Sequence, residues 1–397
     1  MANVSKRLNS LSESQTIAMN QKSNAMKAQG IDIINLSVGE PDFPTPDHIK
    51  QAAKDAIDAN FSFYSPITGY LDLRKAICKK FKDENRLDYT PEQIIVSVGA
   101  KHSIANVLLS VIDPGDEVIV PAPYWVSYIE QVKLAEGVNV IIDAGIDQRF
   151  KITPAQLEKA ISSKTRAIIL CSPSNPTGAI YTKDELAGLV KVLEKHPDIV
   201  IISDEIYEHI NFVGSHTSIA EFPSVKERVA VINGVSKGYA MTGWRIGYMG
   251  APLWIAKACD KLQGQMTSGA SSIAQKAAVL ALTGDQKCTR DMNQAFKRRR
   301  DYVLSRIAKM KGVRCDSPDG AFYVFPDMSS FYGKTFDGKK ISGSSDMALY
   351  LLEKGQIATV PGDAFGSNDY IRISFATSDE NLVKAMDRME AALKAIE

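Results

Sequence analysis

Between residues 94 and 233 the chain alternates short, β-branched apolar runs with longer helix-like stretches, and this rhythm constrains its fold more than any other feature. Residues 94–98 lead through Gly99 into a helical stretch ending near 112, and the turn 113–116 leads into a run at 117–120. Residues 138–142 precede a helical 154–161, 167–171 precede a helical 183–195, and 198–203 and 229–233 close the series. Parallel strands need a crossover long enough to hold a helix, so this spacing predicts an α/β domain with a mostly parallel sheet. From about Ser271 the pattern turns helical, through 291–310. A run at 322–325, a Gly/Ser-rich loop, a helix near 347–354, a strand near 370–375 and a last helix at 379–396 predict a smaller α+β unit. The first 44 residues lack the α/β rhythm and are expected to join it. The expected domains are therefore 45–290, and 1–44 together with 291–397.

Composition narrows the function classes. The 397 residues carry 47 Lys+Arg against 46 Asp+Glu, a net charge of +1, so no field draws the chain to nucleic acid or to an anionic membrane. At 45% hydrophobic and 23% charged, it excludes disordered, collagenous and disulfide-scaffold classes. Apolar runs such as Val200, Ile201 and Ile202 fall far short of the ~20 residues a membrane helix needs. The five cysteines include no C-x-x-C, which reads as reduced thiols and neither a zinc site nor a disulfide framework. Residues 1–30 are polar and carry Glu13, unlike a secretory or transit segment, so a cytoplasmic location is expected. The five histidines show no metal-ligand spacing, and neither a dinucleotide fingerprint nor a phosphate-loop motif occurs. The basic run Lys297, Arg298, Arg299, Arg300 is expected to be a solvated helix face.

Open parallel sheets hold their ligands beyond the carboxyl ends of the strands, so the residues following each run are the candidates. The first run is followed by Gly99, Ala100 and Lys101, and the second by Trp125. The 167–171 run is followed by Asn175, the 198–203 run by Asp204 and Tyr207, and the 229–233 run by Ser236 and Lys237. Arg245 comes eight residues after Lys237. Singly, each has an ordinary explanation: a helix cap, a core indole, a turn residue, a surface charge. Together at one rim they suit pyridoxal phosphate. That cofactor needs a lysine for a Schiff base and a carboxylate to keep its ring nitrogen protonated. It also needs an aromatic face, donors to its ring oxygen, and a helix start with an arginine for its phosphate. Lys237, Asp204, Trp125, Asn175 with Tyr207, and Gly99 to Lys101 with Arg245 supply these in turn.

The motifs 172–178 (S-P-S-N-P-T-G), 204–207 (D-E-I-Y), and Ser236-Lys237 with Arg245 in A-M-T-G-W-R-I-G resemble the class I aminotransferases of the aspartate aminotransferase superfamily. G-E-P-D-F at 39–43 and Y-I-R-I-S at 370–374 extend the resemblance to about 14–392. It implies pyridoxal-phosphate fold type I: a mostly parallel seven-stranded sheet flanked by helices, plus a smaller α+β domain from both chain ends, in a homodimer with shared active sites. By motif, Lys237 would be the Schiff-base lysine and proton shuttle, Asp204 the partner of the pyridinium nitrogen, and Tyr207 and Asn175 the ligands of the ring oxygen. Trp125 would stack on the ring. Ala100, Lys101, Ser236 and Arg245 would surround the phosphate, with Tyr64 reaching the neighbouring subunit's phosphate. Arg372 would clamp the substrate α-carboxylate, helped by Gly39 and Asn175.

The sequence departs from the family in two places. Gly234 stands where many relatives have Ser or Thr, three residues before the lysine. No arginine occurs between Arg245 and Arg290 to bind a distal carboxylate. Lys101 and the Ser14-Gln15-Thr16 segment instead resemble a bacterial and plastid subgroup acting on aspartate and, in some members, prephenate. The implied activity is ping-pong transfer of the amino group of L-aspartate to 2-oxoglutarate, giving oxaloacetate and L-glutamate. The alternatives are prephenate amination and a lyase on the same fold. A DNA-binding regulator is disfavoured by the neutral charge.

Overall fold

The strand–helix rhythm becomes a seven-stranded sheet in the computed structural model, which describes residues 4–13 and 15–396. Its strands are β1 (Ile94–Ser97), β2 (Glu117–Ala122), β3 (Val138–Asp143), β4 (Thr165–Cys171), β5 (Val200–Asp204), β6 (Val229–Gly234) and β7 (Gly247–Gly250). They lie in the order β1-β7-β6-β5-β4-β2-β3. β3, β2, β4, β5 and β6 pair in parallel, while β7 runs antiparallel between β6 and β1. The central strands are buried on both faces, which is why Val200–Asp204 and Val229–Gly234 read as continuous and not alternating apolar runs. Each fully buried Val or Ile there contributes about 1.5–3 kcal/mol of burial.

β7 was not legible, because glycines bracket it and glycine is a poor strand former. Those glycines are there for contact. A Cβ on Gly247 would stand 2.1 Å from the backbone nitrogen of Ala100, so only glycine lets β7 lie against the start of helix α1 (Ala100–Val111). Gly234 has a similar cause. A side chain there would meet the Ile246 carbonyl at 2.9 Å and the Gly247 Cα at 3.0 Å, so this packing has no room for a larger residue.

A second hydrophobic core, with Phe296, Phe322, Tyr323, Leu351, Ile373 and Met386, lies under a smaller sheet. That sheet comprises β8 (Tyr323–Val324), β9 (Val360–Pro361) and β10 (Ile371–Ser374), antiparallel in the order β9-β10-β8. The early segment Ile34–Asn35 pairs in parallel with Ile357–Ala358, which brings the N-terminal stretch into this unit. The helix Lys287–Ile307 corrects one expectation. Lys297 and Arg298 are exposed, but Arg299 is buried and binds Asp42 through both terminal nitrogens at 2.7 and 2.9 Å and Asp379 at 3.0 Å. Phe296, Arg299, Val303 and Ile307 share the buried stripe of that helix, so helical spacing turned one member of the basic run inward.

Candidate active site

The carboxyl ends of the large sheet and one edge of the small one enclose a cleft of about 260 Å³. Lys237 and Ser236, just beyond β6, Asp204 at the end of β5, and Asn175 beyond β4 line it together with Tyr207 and Trp125. Ala100 and Lys101 come from the start of α1, Arg245 from the turn before β7, Arg372 from β10, and Gly39 and Thr16 from the N-terminal stretch. The structure thus brings twelve of the fourteen candidates to one cavity. Gly99 stands just behind it and Tyr64 stands apart, 99% exposed. Ser14 lies outside the described residues.

Lys237 is half-buried, and its Nζ donates to the carbonyl of Gly39 at 2.5 Å. Burial lowers its pKa to about 8; Glu40 opposes that shift, and Arg372 and Arg245 reinforce it. Asp204 is 3% exposed. Burial raises its pKa to about 6, against the hydrogen bonds it accepts from the Tyr128 hydroxyl at 2.5 Å and the Ile206 amide at 3.3 Å. A buried acid and a half-buried amine, each moved toward its neutral form within one cleft, mark a candidate functional site.

The phosphate-sized end is built from backbone. Gly99 caps α1 with φ 84°, and a Cβ there would sit 2.1 Å from Arg245 Nη2, so glycine alone allows the guanidinium to cover the helix start. Arg245 is held by the Thr242 carbonyl at 2.9 Å and the Val98 carbonyl at 3.3 Å. A helix N-terminus facing a fixed guanidinium is an anion receptor.

At the other end Arg372 is 2% exposed and donates from Nη1 to Asn175 Oδ1 at 2.9 Å and from Nη2 to the Ser37 carbonyl at 2.6 Å. Its buried Nε has no hydrogen-bond partner among the described residues. The Lys101 ammonium lies 4.9 Å from the centroid of the Trp125 ring. Several functional neighbours escaped the sequence reading: Tyr128 on Asp204, Tyr323 on Tyr207, Ser37 on Arg372, and Ser127 and Ile17 in the lining. Tyr128 had a signal, since it follows Trp125 by nearly one helical turn; Tyr323 and Ser37 had none.

The donor set fits pyridoxal phosphate. It offers an amine bound only to a carbonyl, a buried carboxylate with few donors, an indole, a phenol and an anion-receiving helix start around one cavity. Fold and site together define a pyridoxal phosphate-dependent enzyme of fold type I. The model for aminotransferase class I and II matches residues 31–389, and the chain belongs to that family. It is 47% identical to an aspartate/prephenate aminotransferase of Nitrosomonas europaea, over 98% of this chain and 99% of that one. It is 46% identical to the bifunctional aspartate aminotransferase and glutamate/aspartate-prephenate aminotransferase of Petunia hybrida, over 99% of this chain and 83% of that one. The crystal structure of an aspartate aminotransferase from Rhizobium meliloti superposes with a TM-score of 0.97 at 42% identity, covering 100% of both chains. That of the Thermus thermophilus aspartate aminotransferase with maleate does so with a TM-score of 0.92 at 39% identity, covering 99% of this chain and 100% of that one.

Proposed function

We propose that this aminotransferase moves the amino group of L-aspartate to 2-oxoglutarate. The observation that carries this is one cleft with a half-buried amine at its centre, a buried guanidinium with a spare donor at one wall, and the Lys101 cation at another. Pyridoxal phosphate, when bound, supplies an electron sink that makes the Cα–H of an amino acid acidic. Lys237 holds the cofactor and then takes and returns the Cα proton at Nζ, for which a proton affinity lowered to about 8 is suited. Asp204 keeps a proton on the ring nitrogen; a cation facing it offsets the burial that otherwise raises its own pKa. Tyr207 and Asn175 hold the ring oxygen, Trp125 covers the ring, and Gly99, Ala100, Lys101, Ser236 and Arg245 receive the phosphate.

Arg372 pairs with the substrate α-carboxylate through Nε and its terminal nitrogens, beside the Gly39 backbone. Lys101, with the Thr16 hydroxyl nearby, receives the distal carboxylate. Phe63 and Tyr64 are 80% and 99% exposed, which supports a homodimer that buries them and sends Tyr64 to the anion-receiving end of the partner subunit. One core drawn wholly from residues 49–282, and a second drawn mainly from 34–36 and 292–396 with Ile206, Tyr207, Ile210, Phe212 and Ala240 joining it, support the division into 45–290 and 1–44 with 291–397. Five unpaired cysteines favour a cytoplasmic setting, and no helix among the described residues is long and apolar enough to cross a membrane.

One observation favours prephenate as a further amino acceptor. A second cavity of about 440 Å³ adjoins the cleft and shares Lys101, Val126 and Ser127 with it, room beside the cleft for the ring of a 2-oxo dicarboxylate. The test is the visible spectrum of the cofactor-loaded protein. Adding L-aspartate without acceptor should bleach the lysine-bound chromophore, and 2-oxoglutarate should restore it. A spectrum indifferent to aspartate overturns the substrate; restoration by prephenate establishes the second acceptor, and ammonia release without any acceptor establishes a lyase. Lys101→Ser should raise KM for aspartate roughly tenfold while leaving that for alanine within about twofold.

A further inference from the structure

Tyr323 is fully buried and touches three parts of the cleft at once. Its hydroxyl lies 2.8 Å from the hydroxyl of Tyr207. The guanidinium carbon of Arg372 lies 4.4 Å from the centroid of its ring. A Cβ on Gly39 would come within 2.6 Å of its hydroxyl, so the Gly39 backbone that holds Lys237 packs directly against it. Tyr323 and Arg372 belong to neighbouring strands of the small sheet, β8 and β10, whereas Tyr207 follows β5 of the large one. The Tyr207–Tyr323 contact therefore ties the wall that receives the substrate carboxylate to the wall that holds the cofactor.

The hydrogen-bond direction follows from the groups available. A phenol has one hydrogen. If Tyr207 donates its own to the cofactor ring oxygen, its oxygen is left as the acceptor for Tyr323. Donation into Tyr207 polarises its O–H and strengthens its donation onward, an effect that burial enlarges. Arg372 stacks on this ring, so a shift of the guanidinium on binding a carboxylate would press on the ring and its hydroxyl.

We infer that Tyr323 is a positioning residue that couples carboxylate capture at Arg372 to the donor strength of Tyr207 at the cofactor. This rests on the pyridoxal phosphate reading proposed above and adds to it a channel between the two binding events.

The test uses the cofactor-loaded protein and maleate, an unreactive dicarboxylate. The pH midpoint of the visible chromophore is measured with and without maleate in the wild type, Tyr323→Phe, Tyr207→Phe and the double variant. A weaker donor at the ring oxygen favours the protonated chromophore, so Tyr323→Phe should raise the midpoint by roughly half a unit or more. It should also shrink the shift that maleate causes. In the Tyr207→Phe background the same substitution should change neither quantity. Gly39→Ala, which displaces the hydroxyl instead of deleting it, should move the midpoint in the same direction. A midpoint unmoved by Tyr323→Phe, or moved equally with and without Tyr207, overturns the coupling while leaving the transaminase reading intact. A wild-type protein that binds no cofactor shows no visible band; that outcome overturns the functional reading, and the coupling with it.

Discussion

The five residues from Asp204 to Glu208 serve two buried regions with opposite electrostatics. Asp204 and Tyr207 face the cleft, while Glu205 and Glu208 face a closed cluster behind it. Glu205 accepts from Ser203 at 2.8 Å, Ser218 at 2.6 Å and His216 at 2.8 Å. Glu208 accepts from Asn85 at 2.5 Å and Asn233 at 2.7 Å and pairs with the buried Lys80. Burial alone would raise the pKa of Glu208, yet the charges of Lys80, His209 and His216 hold it at about 2. Burial likewise opposes a charge on His216, and Glu205 overrides it, raising the imidazole. In the cleft burial prevails, leaving Asp204 at about 6 and Lys237 at about 8. Desolvation thus yields a fixed scaffold where charged partners meet one another and a responsive site where few reach. Asn233 joins the regions: it donates to Glu208, and its side-chain oxygen accepts from the Gly234 amide at 2.7 Å, at the end of the strand that leads to Lys237.

The sharpest way to break this comparison is to delete one charge on each side. Lys237→Ala should lower turnover by more than about 10³-fold, because the proton carrier is lost, while thermal stability stays level or rises. Steady-state kinetics beside a melting curve would check it. Glu208→Gln should do the reverse. Stability should fall by about 2–4 kcal/mol, since Lys80 loses its close, buried partner and keeps only Glu84, 3.7 Å away, as a counter-charge. Replacing both partners, Glu208→Leu with Lys80→Met, should restore most of that in denaturant titration.

Asp204→Asn sharpens the contrast with a smaller effect. In the cofactor-free protein it should raise stability at pH 7 by ~1–3 kcal/mol, because a buried, underpaired charge is removed. The sign follows from a folded-state pKa of about 6 above an ordinary carboxylate value near 3.8. The folded form binds more protons in that interval, so the wild type loses stability as pH rises through it and the variant does not. Melting curves from pH 4 to 8 would show the two converge at the acid end.

Much of the site was legible because parallel strands export chemistry to their carboxyl ends. Gly99, Asn175, Asp204 and Lys237 could be located by reading past each apolar run. Arg372 was accessible only through a motif, since nothing local to β10 distinguishes it from a surface arginine. Arg299 shows the opposite failure: a basic run looked solvated until the helix turned one member onto Asp42. Tyr128 and Tyr323 act through contacts 76 and 116 residues away along the chain, which no window of sequence contains.

The order of apolar runs and turns by itself determined the α/β sheet, the rim on which function falls, and the chemical types gathered there, because those follow from local periodicity and strand direction. Which buried charges stay ionised and which are left receptive was decided only by tertiary packing. A pKa depends on the partners that distant segments bring within hydrogen-bond reach, and Asp204 and Glu208, four residues apart, meet different ones.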